Sequence, residues 1–446
     1  MKSKILAVFA CLVILSLLAA CASPAAPTSP AAAPATQAPA QAIKISFWSH
    51  DFPPREKLDR SFMETFKKDN PGVEIDYVLG PGDDVQYLTK LTTAMAGGEG
   101  PDCFNLLNFS AGRLLAQGAV SPLDLGVLGF SNIDEIKKTY VEGTLNGLIK
   151  DNKLYAMPSE VSNYAMFVNK QMFTDAGLAV DKNMPTTWED MVPMGKQLTT
   201  FEGEKLTRRM FDFTYGQADD ATSPAMSLAG MAYQLGGTIL NADETQAMVN
   251  TEPWVKSLQF QQDWVVKEKL GDPSLTVGFL AFGDASVGMF LGGSWYGPYL
   301  AEQKSPTADK FVVMPMPRWK DAVNKTGSFL YAYGLFVNSK STPEKQLVCT
   351  KLIKELSSHP EDYLKAGGLL QPTIAMTNSD TFKNTPFLNV FLEDMKGTPY
   401  WPTHPKSFEI ADALVRAVQR AVLDRAPVQA SLDQAKAEID ALLVQK

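Results

Sequence analysis

Ile43, Ile45 and Phe47 alternate with polar neighbours, the period-2 signature of a half-buried strand, and Trp48 stands at its end. Leu58, Phe62 and Phe66 then recur every fourth residue and mark one face of a helix that Asn70-Pro71-Gly72 terminates. Val73, Ile75 and Tyr77 alternate as a second strand, and Val85, Leu88, Leu91 and Met95 trace a second helix stopped at Gly97-Gly98. A short strand over 103–107 and a helix over 111–117, closed by Gly118, complete the series. Strand and helix alternating in this way predict an α/β fold with a mostly parallel sheet covered by helices on both faces. In such sheets ligands bind beyond the carboxyl ends of the strands, and 48–51 and 108–110 lie at two such ends.

A second region opens with Lys153-Leu154-Tyr155-Ala156-Met157-Pro158, followed by a strand over 165–168 and a helix ending at Gly177. Thr187 with Asp190 three residues on fits a helix capping box. From there to about residue 300 the pattern reads as mostly helical, broken at Gly236-Gly237 and Gly292-Gly293. Residues 330–337 read as a strand and 344–357 as a helix. Two helices close the chain, the last carrying Leu432, Ala435, Ile439 and Leu442.

The first 42 residues follow no such pattern. Lys2 and Lys4 precede an apolar run from Ile5 to Ala20, the layout of a secretory signal and too short to span a bilayer. It ends in Leu18-Ala19-Ala20-Cys21, which resembles the lipobox of bacterial lipoproteins and predicts cleavage before Cys21 with lipid attachment to its thiol. Residues 22–42 hold ten alanines, five prolines and no charge. Such a stretch has nothing to bury and could reach roughly 65 Å as an extended tether. Cys103 and Cys349 then remain, and they read as two buried small hydrophobes rather than a bridge.

Composition narrows the function. The 446-residue chain is 45% hydrophobic with a net charge of −8, so a large core is expected and nucleic acid is disfavoured as a partner. His50, His359 and His404 are scattered without metal-ligand spacing, and neither a phosphate loop nor a dinucleotide fingerprint is present. Gly292-Gly293-Ser294-Trp295-Tyr296 fails as a nucleophile elbow at its fifth position. Asp83-Asp84 and Asp219-Asp220 read as solvated turns rather than glycosidase carboxylates. No cofactor or metal is implied, and nothing indicates an enzyme.

Several segments, taken as an ordered set, resemble the extracellular solute-binding proteins of family 1, the maltose-binding-protein-like receptors of ABC importers. Ile45-Ser46-Phe47-Trp48-Ser49 and the helix ending Phe66-Lys67-Lys68-Asp69-Asn70-Pro71-Gly72 are similar to the family's opening strand and helix. Tyr87-Leu88-Thr89-Lys90-Leu91 through Gly98-Glu99-Gly100-Pro101-Asp102 resembles its next helix and "G-x-x-P-D" turn. Lys153-Leu154-Tyr155-Ala156-Met157-Pro158, Phe167-Val168-Asn169-Lys170, Phe173-Thr174-Asp175-Ala176-Gly177-Leu178 and Pro185-Thr186-Thr187-Trp188-Glu189-Asp190 resemble its central signature. Phe282-Gly283, Val287-Gly288-Met289 and Gly293-Ser294-Trp295 resemble its "F-x-x-G-x-A-A-M … G-x-W" stretch. The chain departs from the pattern at Asp151-Asn152-Lys153, which lacks the usual glycine, at Val168 in place of a tyrosine, and at Val287-Gly288 in place of an alanine pair.

The resemblance implies a two-lobed periplasmic-binding-protein fold whose lobes are joined by strands crossing near 156–161, 312–317 and 367–373. Lobe 1 would comprise 43–157 and 316–367, lobe 2 158–314 and 371–446, after a signal peptide over 1–20 and an anchor and tether over 21–42. It implies a membrane-tethered monomer that captures a solute between its lobes and delivers it to permease subunits, on the outer face of a bacterial cytoplasmic membrane. A sugar site wants flat aromatic surfaces and a few fixed polar groups. Aromatics at predicted strand ends and loops are Trp48, Tyr164, Trp295, Tyr296, Tyr331 and Trp401, whereas Trp188, Trp254 and Trp264 fall in helices and read as packing. His50, Asp51, Asn108 and Asn163 are the candidate hydrogen-bonding groups, with Asp102 either a ligand contact or a turn cap. Arginine and lysine are sparse around these positions, which favours a neutral carbohydrate over an anion. The alternatives are a receptor for a polyamine, phosphodiester or peptide, a surface glycan hydrolase, and a structural adhesin.

Overall fold

The computed structural model describes residues 42–444, apart from 142, 181–183, 216–221, 277, 325–328 and 396–397. The signal and Cys21 lie outside the described residues. Strand β1 (Ile43–His50) leads through helix α1 (Pro53–Asp69) to β2 (Val73–Gly80), and helix α2 (Asp84–Gly97) leads on to β3 (Cys103–Leu107). Local chemistry sets the ends. Asn70 closes α1 by donating from its side chain to the Phe66 carbonyl at 2.9 Å. The Asp83 carboxylate accepts from the Gln86 amide at 2.8 Å to start α2, and Gly98 ends it with φ 81°.

Among the described residues nine further strands follow: β4 (Ile149–Lys150), β5 (Lys153–Leu154), β6 (Ala156–Ser162), β7 (Ala165–Asn169), β8 (Thr200–Glu202), β9 (Lys205–Phe211), β10 (Val287–Gly292), β11 (Phe311–Met314) and β12 (Tyr331–Val337). They form two five-stranded sheets, ordered β2-β1-β3-β12-β6 and β11-β7-β10-β9-β8, and one small hairpin of β4 and β5. The hairpin turn is Asp151-Asn152, both with positive φ (49° and 56°), so the two residues supply the left-handed turn where the family signature carries glycine.

The first sheet is parallel only across β2, β1 and β3; β12 runs antiparallel to β3, and β6 antiparallel to β12. In the second sheet β9 and β10 are parallel and the other pairs antiparallel. The expectation of mostly parallel pairing therefore holds for the first three strands, whereas in each full sheet most or half of the pairs are antiparallel. The expectation of a mostly helical stretch up to residue 300 is also corrected, because β8, β9 and β10 lie within it. All six residues of Val287–Gly292 are buried, and a continuous apolar run carries no period that separates strand from helix.

The chain passes from the first sheet to the second through the two residues between β6 and β7, and returns in the stretch from β11 to β12. Leu370 adds a bridge to Val161 from a third segment. Cys103 and Cys349 form a disulfide with Cα atoms 5.8 Å apart, which corrects the reading of two separate thiols. The bond ties the start of β3 to the helix Pro343–Leu356, and 246 residues of separation gave the sequence no means to pair them.

Candidate functional site

The first three strands of the first sheet end on one side, where His50 closes β1 and Asp51 follows it, Pro81 and Gly82 follow β2, and Leu107 closes β3. All five residues line a cavity of about 570 Å3. A volume of this size suits a small organic ligand held by an apolar wall and a few convergent polar groups. Its second side comes from β10, the helix Tyr296–Glu302 and the helix Ser223–Gln234.

The polar wall is built around Arg55. Along α1 the buried row is Arg55, Asp59, Met63 and Phe66, whereas Leu58 and Phe62 of the expected apolar face are half-buried. Two charged groups thus occupy the first two turns of the inward stripe, at i,i+4 spacing. Arg55 Nη2 donates to Glu160 Oε2 on β6, and both side chains are about 5% exposed. Arg55 Nη1 lies 3.0 Å from His50 Nε2 and 3.4 Å from Asn105 Oδ1. Its guanidinium also sits 5.4 Å from the Tyr333 ring centroid. Burial works against the Arg55 charge, but Glu160 and Asp59 hold it firmly protonated. An arginine only donates, so His50 is the acceptor and must be neutral. Burial, followed by the Arg55 charge, depresses the His50 imidazole well below its ordinary range.

Burial raises the Glu160 carboxyl above its ordinary range, opposed by the charge of Arg55. Behind the pair, Asp59 accepts from Tyr363 at 2.6 Å and from Tyr77 at 3.0 Å. Burial lifts Asp59 to about 6 against the pull of Arg55 and these two hydroxyls. On β12, Tyr333 donates to the Asp84 carboxylate, with its oxygens at 2.8 and 2.9 Å, and stacks on the His50 ring with centroids 4.6 Å apart. Burial pushes Asp84 up to about 7, opposed by the Tyr333 hydrogen bond and assisted by the charges of Asp83 and Glu160.

The opposite wall is aromatic. Trp295 follows Gly292-Gly293-Ser294, and a Cβ on Gly293 would lie 2.3 Å from the Tyr331 hydroxyl and 2.4 Å from the Trp295 indole nitrogen. Only glycine allows that approach, which lets Trp295 Nε1 donate to the Tyr331 hydroxyl at 2.8 Å. Phe52 meets Trp295 edge-on at 6.2 Å, and Tyr299 does so at 6.1 Å. Tyr164 shares a hydrogen bond with Ser223 at 2.9 Å and tilts against Tyr331 at 5.8 Å. Phe279, Phe290, Leu291 and Met226 fill the remainder of this side.

Of the residues singled out in the sequence, His50, Asp51, Tyr164, Trp295 and Tyr331 line the cavity. The others lie elsewhere for identifiable reasons. Trp48 is half-buried beneath the Lys90 ammonium, 5.2 Å from its ring centroid. Asp102 accepts from the Ser46 amide at 2.9 Å, Ser341 at 2.7 Å and Lys345 at 3.1 Å, and so fastens the approach to β3. Asn108 accepts from the Ala332 amide at 3.2 Å, and the buried Asn163 donates to the Phe391 carbonyl at 3.4 Å. Tyr296 is fully buried and donates to the Phe279 carbonyl. Trp401 is fully buried and stacks on Phe109 at 5.1 Å.

The residues missed by the sequence reading are Arg55, Glu160, Tyr333 and the pair Asp83-Asp84. The last two were read as a solvated turn; in the structure both line the cavity, whereas Asp219-Asp220 lies outside the described residues. The finding that basic residues are sparse is corrected by Arg55, although its guanidinium is already engaged by Glu160, His50 and Asn105. The available signals were an arginine and an aspartate in phase with Met63 and Phe66, and a glutamate inside the apolar strand β6.

Comparison with known proteins agrees with this architecture. A Brucella abortus (strain 2308) chain named as a binding protein is 25% identical over 388 residues, covering 85% of this chain and 88% of the relative. A Thermotoga lettingae TMO solute-binding protein of an ABC transporter, solved with α-D-tagatose, superposes with a TM-score of 0.77 at 18% identity, covering 90% of this chain and 99% of that one. The maltose/maltodextrin-binding domain MalE of Bdellovibrio bacteriovorus, bound to maltotriose, also gives 0.77, at 20% identity, with 90% and 100% covered. The fold is the two-lobed α/β architecture of periplasmic solute-binding proteins. Residues 52–361 match the model of the bacterial extracellular solute-binding proteins, and the chain belongs to that family.

Proposed function

We propose that the protein is the substrate-binding component of an ABC importer, and that it captures a carbohydrate in the cavity between the two sheets and hands it to the permease. One observation carries this reading: a cavity of about 570 Å3 with an aromatic wall on one side and fixed polar groups on the other. Sugar rings present C–H faces to aromatic planes and hydroxyls to fixed donors and acceptors, so the two walls match the two chemistries of a pyranose or furanose. Trp295, Tyr331, Tyr164 and Tyr299 would supply the planes, and His50, Asp51, Asp83 and Asp84 the polar contacts. Arg55 is no anion clamp, because Glu160 already neutralises it. Two solved neighbours hold sugars, which supports the same ligand class.

The lobes in this reading are 43–157 with 316–367 and 158–314 with 371–446, supported by the two sheets and the two-residue link between β6 and β7. Contacts to both walls exist together only when the lobes are closed, so the ligand shifts the population toward that state. Cys21 carries the lipid that holds the monomer at the outer face of the cytoplasmic membrane, with 22–42 as the tether; no helix among the described residues is long and apolar enough to cross a membrane. Replacing Cys21 with serine should release the protein from membranes without altering ligand affinity. A thermal-shift screen over mono- to trisaccharides, with oligopeptides and polyamines as controls, tests the ligand class: saccharides should raise the melting temperature. Stabilisation by peptides or polyamines alone would refute it.

A further inference from the structure

The cavity carries an imbalance of charge that a neutral sugar does not answer. Among the described residues its wall holds four carboxylates, Asp51, Asp83, Asp84 and Glu160, against a single guanidinium, Arg55. Arg55 and Glu160 cancel each other. His50 adds no charge, because burial and Arg55 keep its ring neutral. Lys57, outside the cavity lining, is held by both oxygens of Glu302 at 2.7 Å. Three carboxylates therefore remain: Asp51 just after β1, Asp83 at the N-cap of α2 and Asp84 in its first turn.

The hydrogen bonds that Asp83 and Asp84 make within the protein come from neutral donors. Asp83 accepts from the Gln86 amide, and Asp84 from the Tyr333 hydroxyl. These contacts satisfy lone pairs; the Arg55 charge reaches Asp84 but is already engaged by Glu160, and among the described residues no basic group pairs directly with either carboxylate. Water screens it while the site is open. When a ligand fills the cavity that water leaves, and a carboxylate without a counter-charge becomes costly. Sugar hydroxyls can replace the lost hydrogen bonds, but they leave each carboxylate either to take up a proton, as burial already favours at Asp84, or to meet a cation. The facing wall suits a cation as well, since Trp295 and Tyr331 line it and aromatic rings attract ammonium groups.

We propose that the site selects a glycan bearing a protonated amine, an amino sugar, over the neutral glycan of the same ring skeleton. The inference rests on the carbohydrate reading given above and sharpens it. The raised Asp84 carboxyl agrees with it, because an ammonium beside that group would restore its ionised form.

Isothermal titration of the purified full-length protein at pH 7.5 tests the inference with matched pairs of mono- to trisaccharides. Each pair sets a glucosamine or galactosamine oligomer beside its N-acetylated and its hydroxyl counterpart, and spermidine serves as an amine without rings. The amine-bearing member of the best pair should bind about tenfold or more tightly than its neutral partners. The preference should shrink as salt is raised, and the double variant Asp83→Asn, Asp84→Asn should bring it below about threefold. Equal or tighter binding of the neutral members would overturn the inference and leave the carbohydrate receptor standing. Binding of spermidine more tightly than every saccharide, or of no saccharide at all, would overturn both.

Discussion

The two walls of the cavity solve different problems. On the first sheet's side, Arg55, Glu160, His50, Asn105, Tyr333 and Asp84 satisfy one another in a single network, so polar groups stay at fixed positions with little freedom to relax. Across from them Trp295, Tyr299, Phe279 and Phe290 offer flat surface with few polar atoms. The networked wall fixes which groups a ligand must present, and the aromatic wall contributes contact area that tolerates variation in the ligand. Specificity and affinity therefore have separate addresses in this molecule, and substitutions should separate them.

The largest effect is expected from Arg55→Ala. It strands the buried Glu160 charge and should cost about 3–5 kcal/mol of stability, read as a drop in denaturation midpoint. The double variant Arg55→Met, Glu160→Met should recover most of that loss; a double variant as unstable as the single one would show that the network holds more than its own charges. Next comes the aromatic wall. Trp295→Ala should weaken saccharide binding about tenfold or more while leaving the melting temperature of the unliganded protein nearly unchanged, since Trp295 is only half-buried. A large loss of unliganded stability would make the indole a core residue and merge the two roles.

A smaller effect concerns pH. The folded Asp84 carboxyl titrates at about 7, above the 3.8 of its ordinary value, so its protonated form is favoured by folding. That contribution is fully present below about pH 4 and is lost as pH rises through 7. Asp84→Asn, neutral at every pH, should therefore be more stable than the parent at pH 8, by about 2–4 °C in melting temperature, and show no gain at pH 4. A gain that is the same at both pH values would contradict the burial of its charge. Smallest is the exposed surface of α1: Lys57→Met breaks a pair worth about 0–1 kcal/mol and should change ligand affinity less than about fivefold.

Much of the fold was legible because the early elements each bury one face. Ile45 and Phe47 against Lys44 and Ser46, or Leu88, Leu91 and Met95 along α2, leave a period that any reading detects. The strand β10 left none, since all its residues are buried, and β9 hid its alternation behind Arg208 and Arg209. The site divides in the same way. His50 and Asp51 were found through the strand-end rule, which needs only topology. Arg55 and Glu160 were missed because an inward-facing charge looks like a surface residue until its partner, 105 positions away, is known. Trp401 was misplaced for the converse reason: an aromatic among prolines can line a cleft or plug a core, and Phe109 stacking on it decides for the core.

The most direct test is small-angle X-ray scattering of the full-length protein with and without the saccharide that gives the largest thermal shift. If both walls converge on one ligand, the bound form should show a smaller radius of gyration. Superimposable profiles at saturating saccharide would contradict it.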